Sequence, residues 1–320
     1  MEQIAAVVVT YNRKELLLQC LDRLLNQKGT TCDVLIVDNA STDGTEQAIG
    51  QLRSPQVYYR NTGANLGGAG GFNFGMRWAV EAGYDYLWIM DDDTLPSPDA
   101  LAQLWAAHER LGGNYGFLSS TVLWTDGKEC RMNRQKIRKR FFERIELLQF
   151  GMVQIEQATF VSLFFSARVV AEEGLPIKEF FIWGDDIEYT RRLSVRSNRD
   201  CYLVGKSIVI HQMQNNTGSN IATDVPQRIA RYHYAFRNES YTYRKEGWKG
   251  IAYYLAKCGL NFVRILRQAR NHRFQRCVVL LVGMAQGLIF WPKVEYAVRP
   301  ESKLNEQEVA VANILSHTEI

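Results

Sequence analysis

The chain has 320 residues, of which 46% are hydrophobic and 22% charged, as in globular rather than disordered or fibrous proteins. A net charge of +4 argues against a nucleic-acid partner for the whole chain. The six cysteines show no C-x-x-C spacing, which argues against a zinc site or disulfide framework and suits a reducing cytoplasm. The first apolar run is too short for a signal peptide, and no stretch reaches the ~18 apolar residues of a membrane span.

Apolar runs of strand length alternate with segments of helical periodicity along the chain. Strands are predicted at residues 4–9, 34–37, 57–60, 86–90, 117–124, 159–165 and 202–210. Helices are predicted at residues 14–27, 46–52, 98–111 and 168–173. Two more are predicted, one from the end of the glycine-rich segment to about residue 82 and one from Asp185 onward. This alternation indicates an α/β fold with a mostly parallel, Rossmann-like sheet. We expect residues 1–225 to form this domain and residues 226–320 a C-terminal helical region.

Three consecutive carboxylates, Asp91, Asp92 and Asp93, follow the predicted strand at 86–90. Adjacent carboxylates repel one another, and divalent cations such as Mg²⁺ and Mn²⁺ relieve the repulsion by binding carboxylate oxygens. Because side chains alternate along a strand, we expect Asp91 and Asp93 on one face and Asp92 on the other. His211, at the end of the last predicted strand, is a candidate third ligand. A solvated acidic turn is the alternative for the triplet.

Five glycines lie between residues 67 and 75, after one predicted strand and before a helix. They match no G-x-G-x-x-G register, which argues against a dinucleotide dehydrogenase. The segment 205–207 resembles the end of a P-loop but lacks the first glycine of that motif, which argues against a P-loop NTPase. We expect the cluster to form a loop whose backbone approaches a ligand closely, since a ligand can offset the entropy cost of so many glycines. A mobile loop without a ligand is the alternative.

Aromatic residues at 180–183 lead into Asp185 and Asp186, which open a predicted helix. Carboxylates are stabilised at a helix N-terminus, so a purely structural role is one interpretation. A carboxylate at the mouth of a pocket is also a plausible general base.

Two regions are rich in cations. Residues 128–144 carry eight basic and two acidic side chains, which indicates either a solvated surface or an electrostatic patch for an anionic acceptor or membrane. The C-terminal third has several arginines before an apolar stretch, 277–291, that is too short for a confident span. We predict that residues 248–293 associate peripherally with a membrane. The alternative is a helical subdomain that packs its apolar face on the α/β domain.

Four motifs occur in an order that resembles family 2 glycosyltransferases of the GT-A fold. They are VVVTYNR at 7–13, VDNASTDGT at 37–45, MDDD at 90–93 and WGDDIE at 183–188. The resemblance covers roughly residues 4–240. The string at 65–72 resembles bacterial galactofuranosyltransferases more than the related rhamnosyltransferases, and residues 231–238 resemble the segment that follows the catalytic domain in this branch.

The resemblance implies a role for each matching residue. The nucleotide and donor would contact Thr10, Tyr11, Arg13, Asp38 (at the uracil), Asn65, Gly68, Asp91 and Asp92. Mn²⁺ or Mg²⁺ would be held by Asp91, Asp93 and His211. Asp186 would be the catalytic base. The Trp-Gly-Asp-Asp string departs from the Glu-Asp or Trp-Asp-Asp of many relatives, which leaves Asp185 open as the base.

The implied activity is an inverting, metal-dependent transfer of galactofuranose from UDP-galactofuranose to a hydroxyl of a growing, lipid-linked glycan such as an O-antigen or another cell-envelope polysaccharide. A rhamnosyltransferase that uses dTDP-rhamnose is a second hypothesis, and a non-catalytic nucleotide-sugar-binding subunit is a third, of another class. The expected location is the cytoplasm, with peripheral attachment to the cytoplasmic face of the inner membrane. The acceptor, the linkage and the oligomeric state are not predicted.

Overall fold

The structure, a computed structural model, describes residues 2–300. Within them the strands are β1 (Ile4–Thr10), β2 (Asp33–Asp38), β3 (Val57–Asn61), β4 (Tyr86–Asp91), β5 (Thr94–Pro96), β6 (Leu118–Trp124), β7 (Lys136–Ile137), β8 (Met152–Gln157), β9 (Leu163–Ser166) and β10 (Tyr202–His211). The helices are α1 (Lys14–Leu25), α2 (Thr45–Gln51), α3 (Gly67–Glu81), α4 (Ala100–Arg110), α5 (Ala167–Glu173), α6 (Asp185–Arg191), α7 (Pro226–Ile229), α8 (Tyr232–Arg244), α9 (Gly247–Gln268) and α10 (Arg273–Ile289).

The strands form one sheet in the order β3-β2-β1-β4-β9-β6-β10-β8-β7, with β5 paired to β10. The neighbours from β3 to β4 are parallel, as predicted for the first part of the chain. Strand β9 lies antiparallel between β4 and β6. The pairing of β5 with β10 places His211 opposite Thr94, directly beside the aspartate triplet.

Alternation along β1 divides its side chains between two hydrophobic cores. Val7 and Val9 pack in the core that contains α3, whereas Ala6 and Val8 pack in the core that contains α1 and α4. The sheet is therefore covered by helices on both faces, which explains why its central strands read as continuous apolar runs. Their polar ends emerge together at the carboxyl edge of the sheet.

The glycine cluster is helical, so the prediction of a loop there was wrong. Helix α3 begins at Gly67 and runs through the whole cluster. A Cβ at Gly71 would lie 2.5 Å from Cγ1 of Val9, and a Cβ at Gly75 would lie 2.4 Å from Cγ1 of Val7. These two glycines let the helix approach the sheet closely, and this packing offsets their entropy cost.

The predicted C-terminal helical region is confirmed. Helices α9 and α10 both pack on α8, and glycines permit close contact: a Cβ at Gly250 would lie 2.1 Å from the carbonyl oxygen of Tyr243. A Cβ at Gly283 would lie 2.8 Å from the carbonyl oxygen of His233. Among the helices of residues 2–300, none has the length and apolar character needed to cross a membrane. The domain boundary at residue 225, just before α7, stays a prediction.

After α10 the chain returns to the α/β part of the molecule. Glu295 accepts hydrogen bonds from Arg77 on α3 at 2.9 Å and from Lys178 at 2.6 Å. The backbone N–H of Leu175 also donates to the carbonyl oxygen of Glu295 at 2.7 Å. Residues 301–320, which complete the predicted C-terminal region, lie outside the described residues.

The basic segment 128–144 forms neither one helix nor one face. It contains a 3₁₀ turn at Arg131–Asn133 and the short strand β7. Five of its basic residues have carboxylate partners: Arg134 with Glu129, Lys136 with Glu156, Arg138 with Asp200, Arg140 with Glu143 and Arg144 with Glu146. These pairs reduce the positive potential of the segment, which favours the solvated-surface interpretation over the electrostatic patch.

Candidate active site

The aspartate triplet and His211 meet at the carboxyl edge of β4. Asp91 ends β4, Asp93 lies in the turn to β5, and His211 ends β10. One carboxylate oxygen of Asp91, one of Asp93 and a ring nitrogen of His211 all lie within 4.8 Å of one another. Two oxygens and one nitrogen at this spacing can converge on a single cation, as the sequence predicts.

Two further observations test whether these residues fit a divalent cation. Oδ1 of Asp93 is buried and accepts no aligned hydrogen bond within the described residues, although Nε2 of His211 lies 3.0 Å away. Burial, together with the charge of Asp93, raises the pKa of Asp91 to about 7. The site thus contains an unsatisfied oxygen and mutually repelling carboxylates, and a divalent cation would remedy both. The donor set suits Mn²⁺ or Mg²⁺.

Asp92 turns away from this centre. Its carboxylate accepts hydrogen bonds from the Thr10 hydroxyl at 2.8 Å and from Nη1 of Arg13 at 3.2 Å. Thr10 and Asp92 are both buried, and their roles in binding the nucleotide or donor stay predictions. Their bond to each other forms the floor of the site. Arg13 is half-exposed, and its Nη1 also lies 2.8 Å from Asp93, so it remains available to a diphosphate.

The loops after β1 and β2 are tied together beside this floor. The backbone N–H of Asn12 donates to Oγ of Ser41 at 2.8 Å, and that of Thr42 donates to Oδ1 of Asn12 at 2.7 Å. Asp38 is buried and accepts from the backbone N–H of Ser41 at 2.8 Å and from the Tyr59 hydroxyl at 2.6 Å. Each carboxylate oxygen keeps a second lone pair, so the bond from Asp38 to uracil stays a prediction.

Tyr11, Asn65 and Gly68 are accessible along the same edge. Tyr11 is exposed, and Asn65 accepts a hydrogen bond from the backbone N–H of Gly67 at 2.9 Å as α3 begins. A Cβ at Gly68 would meet no atom within 4 Å, in contrast to most of its neighbours in the cluster. Of the five glycines, Gly68 is therefore the one with room for a ligand, and the donor-binding roles of these three residues stay predictions.

Asp185 and Asp186 form the first turn of α6. Burial, Asp186 and Asp91 together raise the pKa of Asp185 well above its usual range, so the charge of the triplet reaches α6. Burial raises the pKa of Asp186 to about 6, while the backbone N–H of Ile187 donates to its Oδ1 at 2.7 Å. A pKa of about 6 leaves Asp186 ionised at neutral pH, whereas burial and the neighbouring carboxylates disfavour ionisation of Asp185. Of the two, Asp186 is the better proton acceptor.

The loop that presents these carboxylates has a strained backbone. Phe181 and Trp183 have φ values of 62° and 66°, which side chains with a Cβ rarely adopt. Asn238 on α8 is buried, and its Nδ2 donates to three carbonyl oxygens of residues 180–183 at 2.8–3.2 Å. On the opposite side, a Cβ at Gly67 would lie 2.0 Å from the carbonyl oxygen of Phe181. Helices α8 and α3 thus hold the loop between them.

Two residues of the site were not predicted from the sequence. Asn238 lies in the segment 231–238, whose resemblance to the galactofuranosyltransferase branch was the one sequence feature that could have indicated it. Asn133 lies behind the metal centre, with its Oδ1 2.8 Å from Nδ1 of His211. Nothing in the local sequence around Asn133 marks it, because its partner is 78 residues away.

Comparison with known proteins gives relatives for this arrangement. Residues 5–167 match the family described as glycosyl transferase family 2. The chain is 27% identical over 303 residues to the galactofuranosyltransferase GlfT1 of Mycolicibacterium smegmatis, an alignment that covers 86% of this chain and 99% of that protein. It is 32% identical over 209 residues to GlfT1 of Mycobacterium tuberculosis, which covers 60% of this chain and 64% of that protein.

Solved structures share the fold at low sequence identity. GalNAc-T7 with UDP, GalNAc and Mn²⁺ has a TM-score of 0.58 and 12% identity, over 76% of this chain and 48% of that one. TarS 1–349 of S. aureus in complex with UDP has a TM-score of 0.52 and 14% identity, over 90% of this chain and 72% of that one. The sheet, the site and the match over half of the chain agree: this protein is a glycosyltransferase of the GT-A fold and belongs to glycosyl transferase family 2.

Proposed function

We propose that this enzyme transfers galactofuranose from UDP-galactofuranose to a hydroxyl of a growing cell-surface glycan, with inversion at the anomeric carbon and with a divalent cation. The observation that carries the proposal is the alignment with a galactofuranosyltransferase over 99% of that protein's length. The convergence of Asp91, Asp93 and His211 supports the cation. Asp186, which a pKa of about 6 leaves ionised at neutral pH, supports a single displacement without a second nucleophile.

In this mechanism Asp186 accepts the proton of the acceptor hydroxyl while the oxygen of that hydroxyl attacks the anomeric carbon. The bond between that carbon and the β-phosphate oxygen breaks, UDP leaves with the bonding electrons, and the configuration inverts because attack and departure occur on opposite faces. Arg13 is positioned to bind phosphate oxygens through its guanidinium. A divalent cation held by Asp91, Asp93 and His211 would neutralise the charge that develops on the diphosphate.

Donor choice is tested with purified protein, Mn²⁺ and a panel of glycan acceptors that carry lipid tails. UDP-galactofuranose is expected to raise the melting temperature more than dTDP-rhamnose and to give product faster, because a ligand of the native state stabilises it. Faster turnover with dTDP-rhamnose would replace the proposal with a rhamnosyltransferase. Stabilisation by the donor without product from any acceptor would indicate a non-catalytic nucleotide-sugar-binding subunit.

We propose further that the enzyme works on a lipid-linked acceptor at the cytoplasmic face of the inner membrane, where α9 and α10 dock. On α9 the residues that pack toward α8 are Gly250, Tyr254, Cys258 and Ile265. A second face of α9 carries apolar residues spaced three, four or seven positions apart, as on one side of a helix. Its exposed side chains are Trp248, Ile251, Leu255, Phe262 and Leu266. Helix α10 buries Arg276, Leu280, Gly283 and Gly287 and exposes Phe274, Val278, Leu281, Val282, Leu288 and Ile289.

These exposed residues of α9 and α10 are called the docking surface below, and a cluster of exposed apolar side chains of this kind marks an interaction site. Their surroundings are basic: residues 247–294 contain eight Lys and Arg and no Asp or Glu. An anionic lipid surface complements both the apolar side chains and the cations. A second copy of the chain would instead bring two basic surfaces together, which is unfavourable. Charge therefore favours lipid as the occupant.

Flotation with liposomes tests the docking surface. The protein is expected to float with phosphatidylglycerol vesicles at low salt, and to be released at about 1 M salt, where the Debye length is about 3 Å. Leu281→Asp and Leu288→Asp, at positions 56% and 67% exposed, should abolish flotation, while Val225→Asp, at 51% exposure outside the surface, should not. Wild-type protein that stays soluble with anionic vesicles, or that sediments as a dimer broken by Leu281→Asp, would refute membrane docking.

A further inference from the structure

Asn133 is fixed on the side of His211 that faces away from the aspartates. Its Oδ1 lies 2.8 Å from Nδ1 of His211 and also accepts from the thiol of Cys130 at 2.9 Å. Its Nδ2 donates to Oγ1 of Thr159 at 2.7 Å. Asn133, Cys130 and His211 are all buried. Both ends of the amide therefore have partners, and its oxygen is the end that meets the histidine.

This contact determines which nitrogen of His211 can bind a cation. An amide oxygen only accepts hydrogen bonds, so Nδ1 must carry a proton to bond with it. In a neutral imidazole Nε2 is then left with its lone pair, and Nε2 is the nitrogen that lies 3.0 Å from Oδ1 of Asp93. We propose that Asn133 is a positioning residue that holds His211 in the Nδ1–H tautomer and aims Nε2 at the cation site. This inference rests on the proposed metal dependence.

The turn that carries Asn133 is itself anchored. The backbone N–H of Arg131 donates to Oδ1 of Asn216 at 2.8 Å, and Nδ2 of Asn216 donates to the carbonyl oxygen of Glu129 at 2.8 Å. Asn216 follows β10 closely, so the same strand that supplies His211 also ties down the turn behind it. One function of the segment 128–144 is therefore to orient the histidine rather than to attract an anion. Outer partners of this kind typically change metal affinity about 10–100-fold.

Two substitutions separate orientation from packing. Asn133→Leu keeps the shape but removes the acceptor, and Asn133→Asp keeps an acceptor for Nδ1–H. Thr159→Val is the matched control, because it removes the other partner of the amide without touching His211. Free Mn²⁺ measured by electron paramagnetic resonance, in the presence of UDP, gives the affinity of each variant. We expect at least about tenfold weaker binding for Asn133→Leu, and binding within about threefold of wild type for Asn133→Asp and Thr159→Val.

A second readout needs no variant. Nitrogen-15 chemical shifts of the histidine ring in the wild-type protein with Mg²⁺ and UDP report which nitrogen is protonated, and we expect the proton of His211 on Nδ1. Wild-type Mn²⁺ binding in Asn133→Leu, or a proton on Nε2 in the Mg²⁺-loaded protein, would overturn the inference while metal dependence stands. If the wild-type protein binds neither ion with UDP, the proposed metal dependence fails instead, so the two failures are distinguishable.

Discussion

Replacing the general base is the most direct perturbation of the proposed mechanism. Asp186→Asn keeps the shape of the side chain and an oxygen for the N–H of Ile187, which donates to Asp186 at 2.7 Å. The amide cannot take the acceptor proton, so kcat should fall about 10²–10⁴-fold, the usual contribution of a general base. Donor binding should change little, because Asp186 faces the acceptor in this mechanism.

The environment of Asp186 also predicts the pH dependence and the stability of this variant. Burial raises the pKa of the carboxyl from 3.8 to about 6, so the base is ionised above pH 6 and lost as pH falls through 6. At pH 5 only about a tenth of the enzyme retains the base, and kcat/KM should drop about tenfold from its plateau. The ionised, buried carboxylate lowers the free energy of unfolding at neutral pH by as much as about 3 kcal/mol. Asp186→Asn should therefore be at least as stable as wild type at pH 7.

The assay measures UDP release in the presence of acceptor, with melting temperature and donor affinity as folding controls. The matched variant is Asp185→Asn, at the neighbouring carboxyl whose pKa lies well above its usual range. Burial and the charges of Asp186 and Asp91 disfavour ionisation of Asp185, so its amide variant should retain far more activity. Wild-type kcat in Asp186→Asn together with an inactive Asp185→Asn would refute the reasoning and assign the base to Asp185.

Three further outcomes are expected. Asp93→Ala should lose Mn²⁺ binding and about a hundredfold or more of activity; full activity in excess EDTA would contradict metal dependence. Gly75→Ala should lower the free energy of unfolding by about 1–2 kcal/mol, because overpacking exceeds the gain in helix propensity. Gly259→Ala, where a Cβ meets no atom within 4 Å, should raise it by about 0.5–1 kcal/mol; equal unfolding midpoints would refute the packing argument. Asn238→Asp should reduce kcat about tenfold or more, and unchanged kcat would show that the loop needs no clamp.

The central strands and the metal-ligand candidates were predictable because their signals are local. The run before Asp91 is apolar on both faces and ends in charge, and such a pattern determines a buried strand with a functional end. His211 could be named because it ends a strand, and the pairing of β5 with β10 supplied the contact. The separation of Asp92 from Asp91 and Asp93 was also correct, although the turn after β4 produces it rather than alternation within a strand.

The errors arose where a residue's role depends on a distant partner. The glycines of α3 are needed because Val7 and Val9 lie underneath them, and no feature within the cluster distinguishes such packing from ligand binding. The buried hydrogen bond from the Thr10 hydroxyl to Asp92 was not predicted either, because the two residues are 82 positions apart. Asn133 could not be found for the same reason. Hydrogen-bond partners across a sheet leave no periodicity in the sequence.

The hold of Asn238 on the loop before α6 has a consequence for how such enzymes can be recombined. The loop belongs to the α/β part, yet the side chain that satisfies its carbonyl oxygens comes from α8, beyond residue 225. A chain cut at that point would remove the donor to the carbonyl oxygens of Ile182 and Trp183. The C-terminal helices of another family member would replace that donor only if their own α8 matched the loop. Chimeras built to change acceptor choice should therefore be joined after α8, near Gly247 with its φ of 77°, so that the loop and Asn238 come from the same parent protein.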